Sequence, residues 1–538
     1  MTALVTAHLP LVAGAPEGIK KLRALILDLA IRGKLVPQDP ADPTGDVLLG
    51  RVNAASLPEN ESPFALPLGW AWTRFAELLD FQGGGQPPKS EFSDVQQHGY
   101  VQLIQIRDLG EKPQPVFVRR EAVSKFCTSE DILVGRYGAS VGKIFWGKDG
   151  AYNVALVKMV DRSAMFDRRF LYLLLSSPLG QSYFSGISRS AQDGFNKGDI
   201  ADRPIPVCSV LEQHRIVAKV DELMALCDRL EADQADAEAA HAQLVQALLD
   251  SLTQATDAAH FRAHWQRLSE HFHTLFTTEA SIDALKQTVL QLAVMGKLVS
   301  QCMNDEPASE LLARTSAASS KAKKAGSAVT PMPVELPFKL PDGWAWARFN
   351  DLIAPDFPIA YGVLVPGPES ADGVPFVRIA DLDLVAPKRL PEKRISPEVD
   401  AQFARTKLRG GEILMGVVGS IGKLGLAPAS WAGANIARAV CRIVPIGAVS
   451  TPYVLWLLQT QFMRQQFLGD TRTLAQPTLN IGLIRDALTP VPPLAEQHRI
   501  VAKVDELMAL CDQLKAQLAD ARQQHAQLAT ALIEQAVA

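Results

Sequence analysis

Seventeen residues of this chain occur twice. Glu212 to Asp228 reads EQHRIVAKVDELMALCD, and Glu496 to Asp512 repeats the same letters in the same order. A match of that length marks an internal duplication, so any fold must accommodate two copies of one unit. Each copy opens a helix. In the first, Ile216, Val220, Leu223, Cys227, Leu230, Ala237, Leu244 and Leu248 fall at steps of four and three, or multiples of them. In the second, Ile500, Val504, Leu507, Cys511, Leu514, Leu518, Ala521, Leu528 and Leu532 do the same. A seam sustained over about five heptads predicts a coiled coil, interrupted by the polar residues Gln234, His241 and His525. Two matching seams in one chain most simply pair with each other.

The chain of 538 residues is too long for one core, and roughly 100–200 residues per domain suggests three or four units. No signal peptide and no apolar run of about 18 residues is legible, which points to a cytoplasmic protein without a membrane span. Six cysteines without a CxxC pair read as small buried thiols in a reducing compartment. A net charge of −4 argues at first against nucleic acid, but its distribution does not. Residues 63–206 hold 17 Lys/Arg against 15 Asp/Glu, and residues 337–490 hold 16 against 13, whereas 212–257 holds 3 against 10. The acid sits on the helices, and mildly basic globular segments permit DNA binding.

Residues 1–17 read as a loose leader. The helix GIKKLRALILDLAIRGKLV, starting at Gly18, has its partner 263 residues on in SIDALKQTVLQLAVMGKLV, from Ser281 to Val299. Residues 18–62 form this helix and a linker, and 63–207 a first mixed α/β segment. A central long helix over 208–257 and a helical region over 258–301 follow. Residues 302–336 read as a flexible linker because of TSAASSKAKKAGSAVTPMP. A second α/β segment occupies 337–492, and a last long helix 493–538. LPLGWAWTRFAELL opens the first segment and LPDGWAWARFNDLI the second. VQLIQIRDL answers VPFVRIADL, and both segments close on Gln, Asn, Ile and Pro: Gln192, Asn196, Ile200 and Pro206 against Gln476, Asn480, Ile484 and Pro490.

Motifs for chemistry are missing. The turns at Gly138–Lys143 and Gly419–Lys423 lack the glycine spacing and the Ser/Thr after Lys that a nucleotide P-loop needs, and read as tight turns between strands. Their functional version offers backbone N–H, Ser140 or Ser420, and Lys143 or Lys423 to a DNA phosphate. Histidines 260, 264, 271 and 273 cluster. Phe261, Trp265, Leu268, Phe272, Leu275 and Phe276 recur at helical spacing through the same stretch, which favours an amphipathic helix over a metal site. No GxSxG, HExxH, GxGxxG or amino-methyltransferase Asn/Asp-Pro-Pro-Tyr/Phe pattern occurs, so the chain reads as non-catalytic and without a metal.

The proline-led opening of the long helices (PVPPLAEQHRI at 490–500, VCSVLEQHRI at 207–216), the two opening helices and the paired GWAW openings carry a resemblance. They closely resemble the specificity subunit of type I restriction–modification systems, over essentially the whole chain beyond the leader. The resemblance implies an α+β fold: two α/β target recognition domains separated by two long antiparallel coiled-coil helices, in a pseudo-twofold internal repeat. Each domain would read one half of a bipartite site in double-stranded DNA. The helices would act as a ruler and dock two methyltransferase subunits, with restriction subunits joining for cleavage. S-adenosylmethionine, ATP and Mg would belong to those partners, and no cofactor to this chain.

The resemblance does not supply base-contacting residues, so candidates come from what base edges and phosphates require. In the first copy these are Gln86, Lys89, Gln105, Arg107, Arg136, Tyr137, Ser140, Lys143, Arg189, Gln192 and Lys197. In the second they are Tyr361, Arg378, Ser420, Lys423, Arg438, Arg472, Thr473, Gln476 and Asn480. For Asn196 and Asn480, capping of a turn is the competing reading. Two other functions stand beside the leading one: a stand-alone DNA methyltransferase or nuclease, and a two-domain adaptor that does not bind DNA.

Overall fold

The computed structural model describes residues 8–186, 194–320, 336–468 and 478–537. The chain divides into two units, Met1–Glu238 with Asp520–Ala538 and Ala239–Ala519, so each 44-residue helix, Val210–Thr253 and Leu494–Val537, is shared out between them. The architecture is α+β.

In the first unit, the strand Ala71–Arg74 pairs antiparallel with Pro204–Val207, placing Trp72 opposite Pro206. The two ends of the first globular segment are thereby closed on each other, immediately before the long helix begins. Between them lie two four-stranded sheets. One runs Leu79–Gly83, Leu156–Asp161, Ile132–Gly135, Ile144–Trp146, all antiparallel. The other runs Phe117–Arg119, Tyr100–Ile104, Gly150–Tyr152, Phe126–Cys127, with a parallel pair at its centre. Outside the sheets, Ile216, Val220, Leu223 and Cys227 of the long helix share a core with Leu22, Leu25, Ile26 and Leu29 of the helix Gly18–Ile31. Ala529 and Ala536 join the same core.

The second unit is built alike. Ala345–Arg348 pairs antiparallel with Leu488–Val491, placing Trp346 opposite Pro490. Two three-stranded sheets follow, Leu424–Leu426, Ile413–Gly416, Val440–Ile443 and Arg394–Ile395, Val374–Val377, Asn435–Ile436. Ile500, Val504 and Cys511 pack with Ile282, Leu285 and Val289 of the helix Glu279–Val294, and Val245, Leu249 and Leu252 complete that core.

The expected seam is displaced towards the far end of each long helix. Ile216, Val220, Leu223, Cys227, Ile500, Val504 and Cys511 are buried, and Leu230, Leu507, Leu514, Leu518 and Leu532 are half-buried. Leu244 and Leu528, by contrast, are about half exposed, and Leu248 is only partly covered. Val245, Leu249, Leu252, Ala529 and Ala536 take the buried places instead. A helix of 3.6 residues per turn drifts about 20° per heptad against a strict seven-residue repeat, so after four heptads the covered stripe has moved by nearly one residue.

Two loose segments of the sequence reading are helical. Leu9–Gly14 forms a short helix, with Val12 fully buried, where a leader was expected. The linker over 302–336 begins with the helix Ala308–Ser320, whose Ala308 and Leu311 are buried; residues 321–335 lie outside the described residues. The short helix explains the polar intrusions in the seam. Its carbonyls are left without intrahelical donors at its end, and Leu11 O is met by His525 Nε2 at 2.6 Å and Ala13 O by Gln234 Nε2 at 3.0 Å. In the second unit His241, the repeat of His525, lies 3.3 Å from the carbonyl of Thr274, at the end of the helix Phe272–Leu275. Thr274 stands 263 residues after Leu11, so Leu9–Gly14 and Phe272–Leu275 are two copies of one helix. Nearby, Phe261 stacks on Trp265, and His260 meets Asp257, the N-cap of its own helix, at 2.7 Å.

Candidate nucleic-acid interface

Four stretches of each globular segment meet at one place, and the two copies meet alike. In the first copy Gly85 bridges Asn153, while Tyr137 bridges Gly194. In the second Val363 bridges Ala437, while Val418 bridges Thr478. The first of these contacts demands glycine one residue earlier. A Cβ on Gly84 would lie 2.0 Å from the carbonyl oxygen of Asn153, and one on Gly362 would lie 1.9 Å from that of Ile436. Real Cβ atoms do not approach so closely, so only glycine allows the backbones to touch.

The glycine turns are hairpins. Gly135 and Gly142 exchange backbone bonds with Lys143 and Gly135, and Gly416 and Gly422 do the same with Lys423 and Gly416. Gly138 and Gly419 hold positive φ, 59° and 74°, with open space where a side chain would stand. The turn-between-strands reading is therefore the observed one, and the tips that could meet a phosphate face open space.

The candidates fall into three groups. At the junction, Arg136 donates from Nε to Phe195 O at 3.1 Å and lies 5.1 Å from the Tyr137 ring, and exposed Lys143 makes no ion pair among the described residues. Arg438 is exposed beside Ala437, also without an ion pair there, and its backbone N–H donates to Val363 O. Ser420 is exposed at the hairpin tip, and Lys423 donates to Ile379 O at 3.1 Å. A second group is tied into the scaffold. Gln105 and Arg378 occupy the same position in the two copies, and their backbone N–H groups donate to the buried Asp108 and Asp381. Arg378 Nε also meets Asp381, Ser140 Oγ donates to Tyr137 O, Lys197 pairs with Asp80 at 2.8 Å, and Tyr361 donates to Leu479 O. Asn480 caps Gly482, as Asn196 caps Gly198, so the capping reading holds for both. The third group, Gln86, Lys89 and Arg107, is exposed on the first copy's surface, and no side-chain hydrogen bond or ion pair among the described residues draws Lys89 or Arg107 to the junction. Arg189, Gln192, Arg472, Thr473 and Gln476 lie outside the described residues.

Further cations lie in the second copy. Buried Arg442, whose pKa is lowered by burial, donates to the carbonyls of Arg405 and Lys407 at 2.7 Å each. It thereby fixes a loop on which Arg405 is exposed without an ion pair among the described residues. The signal was the run of cations between Lys388 and Arg409.

The shared letters of the repeat explain how each segment is held to its helix. Glu212 accepts from Trp70 Nε1 at 2.9 Å and Gln38 Nε2 at 2.6 Å; Glu496 accepts from Trp344 at 3.0 Å and Gln301 at 3.2 Å. Burial pushes both carboxyls above the ordinary glutamate range, against the pull of those donors. Gln213 accepts from Asp167 N, and Gln497 from Ser450 N. Arg215 pairs with Asp42 and Arg499 with Asp305, at 2.6 Å each. Hydrogen bonding to Arg215 holds the Asp42 carboxyl below its usual range.

Residues 67–239 match the family described as type I restriction modification DNA specificity domain. The chain is 33% identical to the type I restriction enzyme EcoEI specificity subunit of Escherichia coli, over 97% of this chain and 94% of that protein. It is 32% identical to the EcoAI specificity subunit of the same organism, over the same shares. A solved chain from work on complex assembly and conformational transition of the type I R-M system superposes with a TM-score of 0.50 at 18% identity, covering 88% of this chain and 99% of that one.

Proposed function

The chain belongs to the family of type I restriction enzyme specificity subunits, and from that premise we propose how it reads DNA. Its role is DNA sequence specificity. The two segments act as target recognition domains, each reading one half of a bipartite, asymmetric site in double-stranded DNA. The observation that carries this is the junction built twice, with the same bridges and the same glycine and exposed cations around it. Arg136, Tyr137 and Lys143 act in one domain, and Ser420, Lys423 and Arg438 in the other. Cations there anchor phosphates, and amide, hydroxyl and guanidinium groups on the surrounding loops read base edges.

The long helices pack antiparallel as a coiled coil in a pseudo-twofold arrangement, set the distance between half-sites, and dock two methyltransferase subunits. Restriction subunits join that complex. S-adenosylmethionine, ATP and Mg act on those partners, and this chain performs no chemistry itself. No described helix is long and apolar enough to cross a membrane. The chain acts on DNA in the cytoplasm.

Exchange of residues 64–206 for a foreign recognition domain tests the reading. Mapping of methylated adenines in the host genome should show one half of the target changed and the other intact. If both halves change together, the modular reading fails.

A further inference from the structure

The opening helices and the long helices change charge together between the two copies. In the first unit, Arg23 reaches Asp228 at 2.6 Å and Glu231 at 2.9 Å. In the second, Lys286 stands in the place of Arg23 and pairs with Asp512, the repeat of Asp228. Three residues further along the long helix the sign reverses. Lys515 stands where the first copy has Glu231, and Asp283 stands where it has Lys20. These two meet at 2.6 Å.

The identical repeat creates an ambiguity that this reversal can resolve. An opening helix meets the same letters on either long helix up to Asp228 or Asp512, and Ile19, Leu22 and Leu29 recur as Ile282, Leu285 and Leu292. Most of the apolar contact is thus indifferent to partner. The charges are not. On the wrong long helix, Lys20 and Arg23 would face Lys515, while Asp283 would face Glu231. The other groups at these positions leave the contrast in place: Lys20 pairs with Glu17 on its own helix, and Lys21 donates to the hydroxyl of Thr530.

We propose that residues 23, 231, 283 and 515 form a pairing code, which directs each opening helix to the long helix of its own copy and disfavours docking on the unlike long helix, whether of this chain or of a second one. Docking of an opening helix on the unlike long helix of a second chain, where the apolar contacts are the same, is otherwise an inexpensive route to a dimer. Each pair is partly exposed and so weak singly, but the code needs only the difference between attraction and repulsion.

The test removes the code while keeping the contacts. The full-length Asp283→Lys/Lys515→Glu variant retains a complementary pair, yet both copies then read alike. Refolded from denaturant at low salt, it should melt with the parent but yield about three times as much dimer or more, by size exclusion with light scattering. Refolding at about 1 M salt should abolish the difference, because screening then acts within about 3 Å. Lys515→Glu alone should lower the melting temperature by leaving Asp283 against a like charge, and the second reversal should restore it. An unchanged dimer fraction in the double variant overturns the proposal, and so does a second reversal that restores nothing.

Discussion

The indole nitrogen of Trp70 donates to the carboxylate of Glu212 across 142 positions of sequence, at 2.9 Å in a buried site. Glu212→Ala would leave that donor without an acceptor and the amide of Gln38 with only the longer bond to Gly33 O, at a cost of about 1–3 kcal/mol. Glu212→Gln keeps an acceptor oxygen and should cost less. The two variants also differ with pH. Because burial raises the carboxyl's pKa above its ordinary 4.5, the folded chain holds that proton more tightly than the unfolded one. The stabilisation is full below the ordinary value and is lost as pH rises through the raised one. Urea titrations should therefore show the parent losing more stability than Glu212→Gln between pH 4.5 and neutrality.

Gly84 and Gly362 should be the least replaceable glycines of their domains. Alanine at either would place a methyl about 2 Å from a carbonyl oxygen, and the bridge to the neighbouring strand should open. Gly138→Ala and Gly419→Ala meet open space and carry only the strain of positive φ, about 1 kcal/mol. Limited proteolysis should release fragments of the affected domain in the first pair and not in the second.

Removing a cation at the junction should weaken DNA binding through its salt dependence. Lys143→Ala and Arg438→Ala should each reduce the slope of log K against log salt by about 1 in anisotropy titrations of the assembled complex. Equal loss on specific and random duplexes marks a phosphate contact, and selective loss on the specific duplex marks a base contact. An unchanged slope would remove that residue from the interface.

What was legible in the sequence was what is local or repeated. The heptad pattern located both long helices, and the paired GWAW and Pro landmarks fall on strands that pair with each other, Trp72 opposite Pro206 and Trp346 opposite Pro490. The burial of Val245 in place of Leu244 was not legible, because it depends on accumulated helical drift. Nor was the role of Leu9–Gly14, since its helix is short and is satisfied by His525 and Gln234 from far along the chain. Within the candidate site the hairpin glycines could be read, while Gly84 and Gly362 could not. Their need for hydrogen arises only when a distant strand lies against them.

The spacing role proposed for the long helices predicts an asymmetric response to insertion. Seven residues added among Ala237–Ala240, where the helix faces solvent, preserve the heptad phase and lengthen it by roughly 10 Å. Genome methylation mapping should then show about three more base pairs between the half-sites, at about 3.4 Å each. Two added residues turn the following face by about 200° and should yield a poorly assembled protein. An unchanged spacer in a well-folded heptad variant would show that the helices dock partners without measuring DNA.

The thiols should separate by reactivity. Burial pushes Cys127 up to about 11 and Cys441 up to about 12, and raises Cys227 and Cys511 as well. Cys302 is exposed. Iodoacetamide at about pH 8 should therefore label Cys302 first in the native chain, with the buried thiols following only on unfolding. Early labelling of Cys227 or Cys511 would mean that the long helices open readily.

The identity of Glu212–Asp228 with Glu496–Asp512 also has a genetic consequence. An in-frame junction of Asp228 with Gln513 would delete one whole repeat and leave a single-domain chain with one uninterrupted long helix. That product would join the opening helix bearing Lys20 and Arg23 to a long helix that continues into Lys515 rather than Glu231. The charge reversal would then mark a spliced product from within, because a chain assembled from mismatched halves carries its own repulsion.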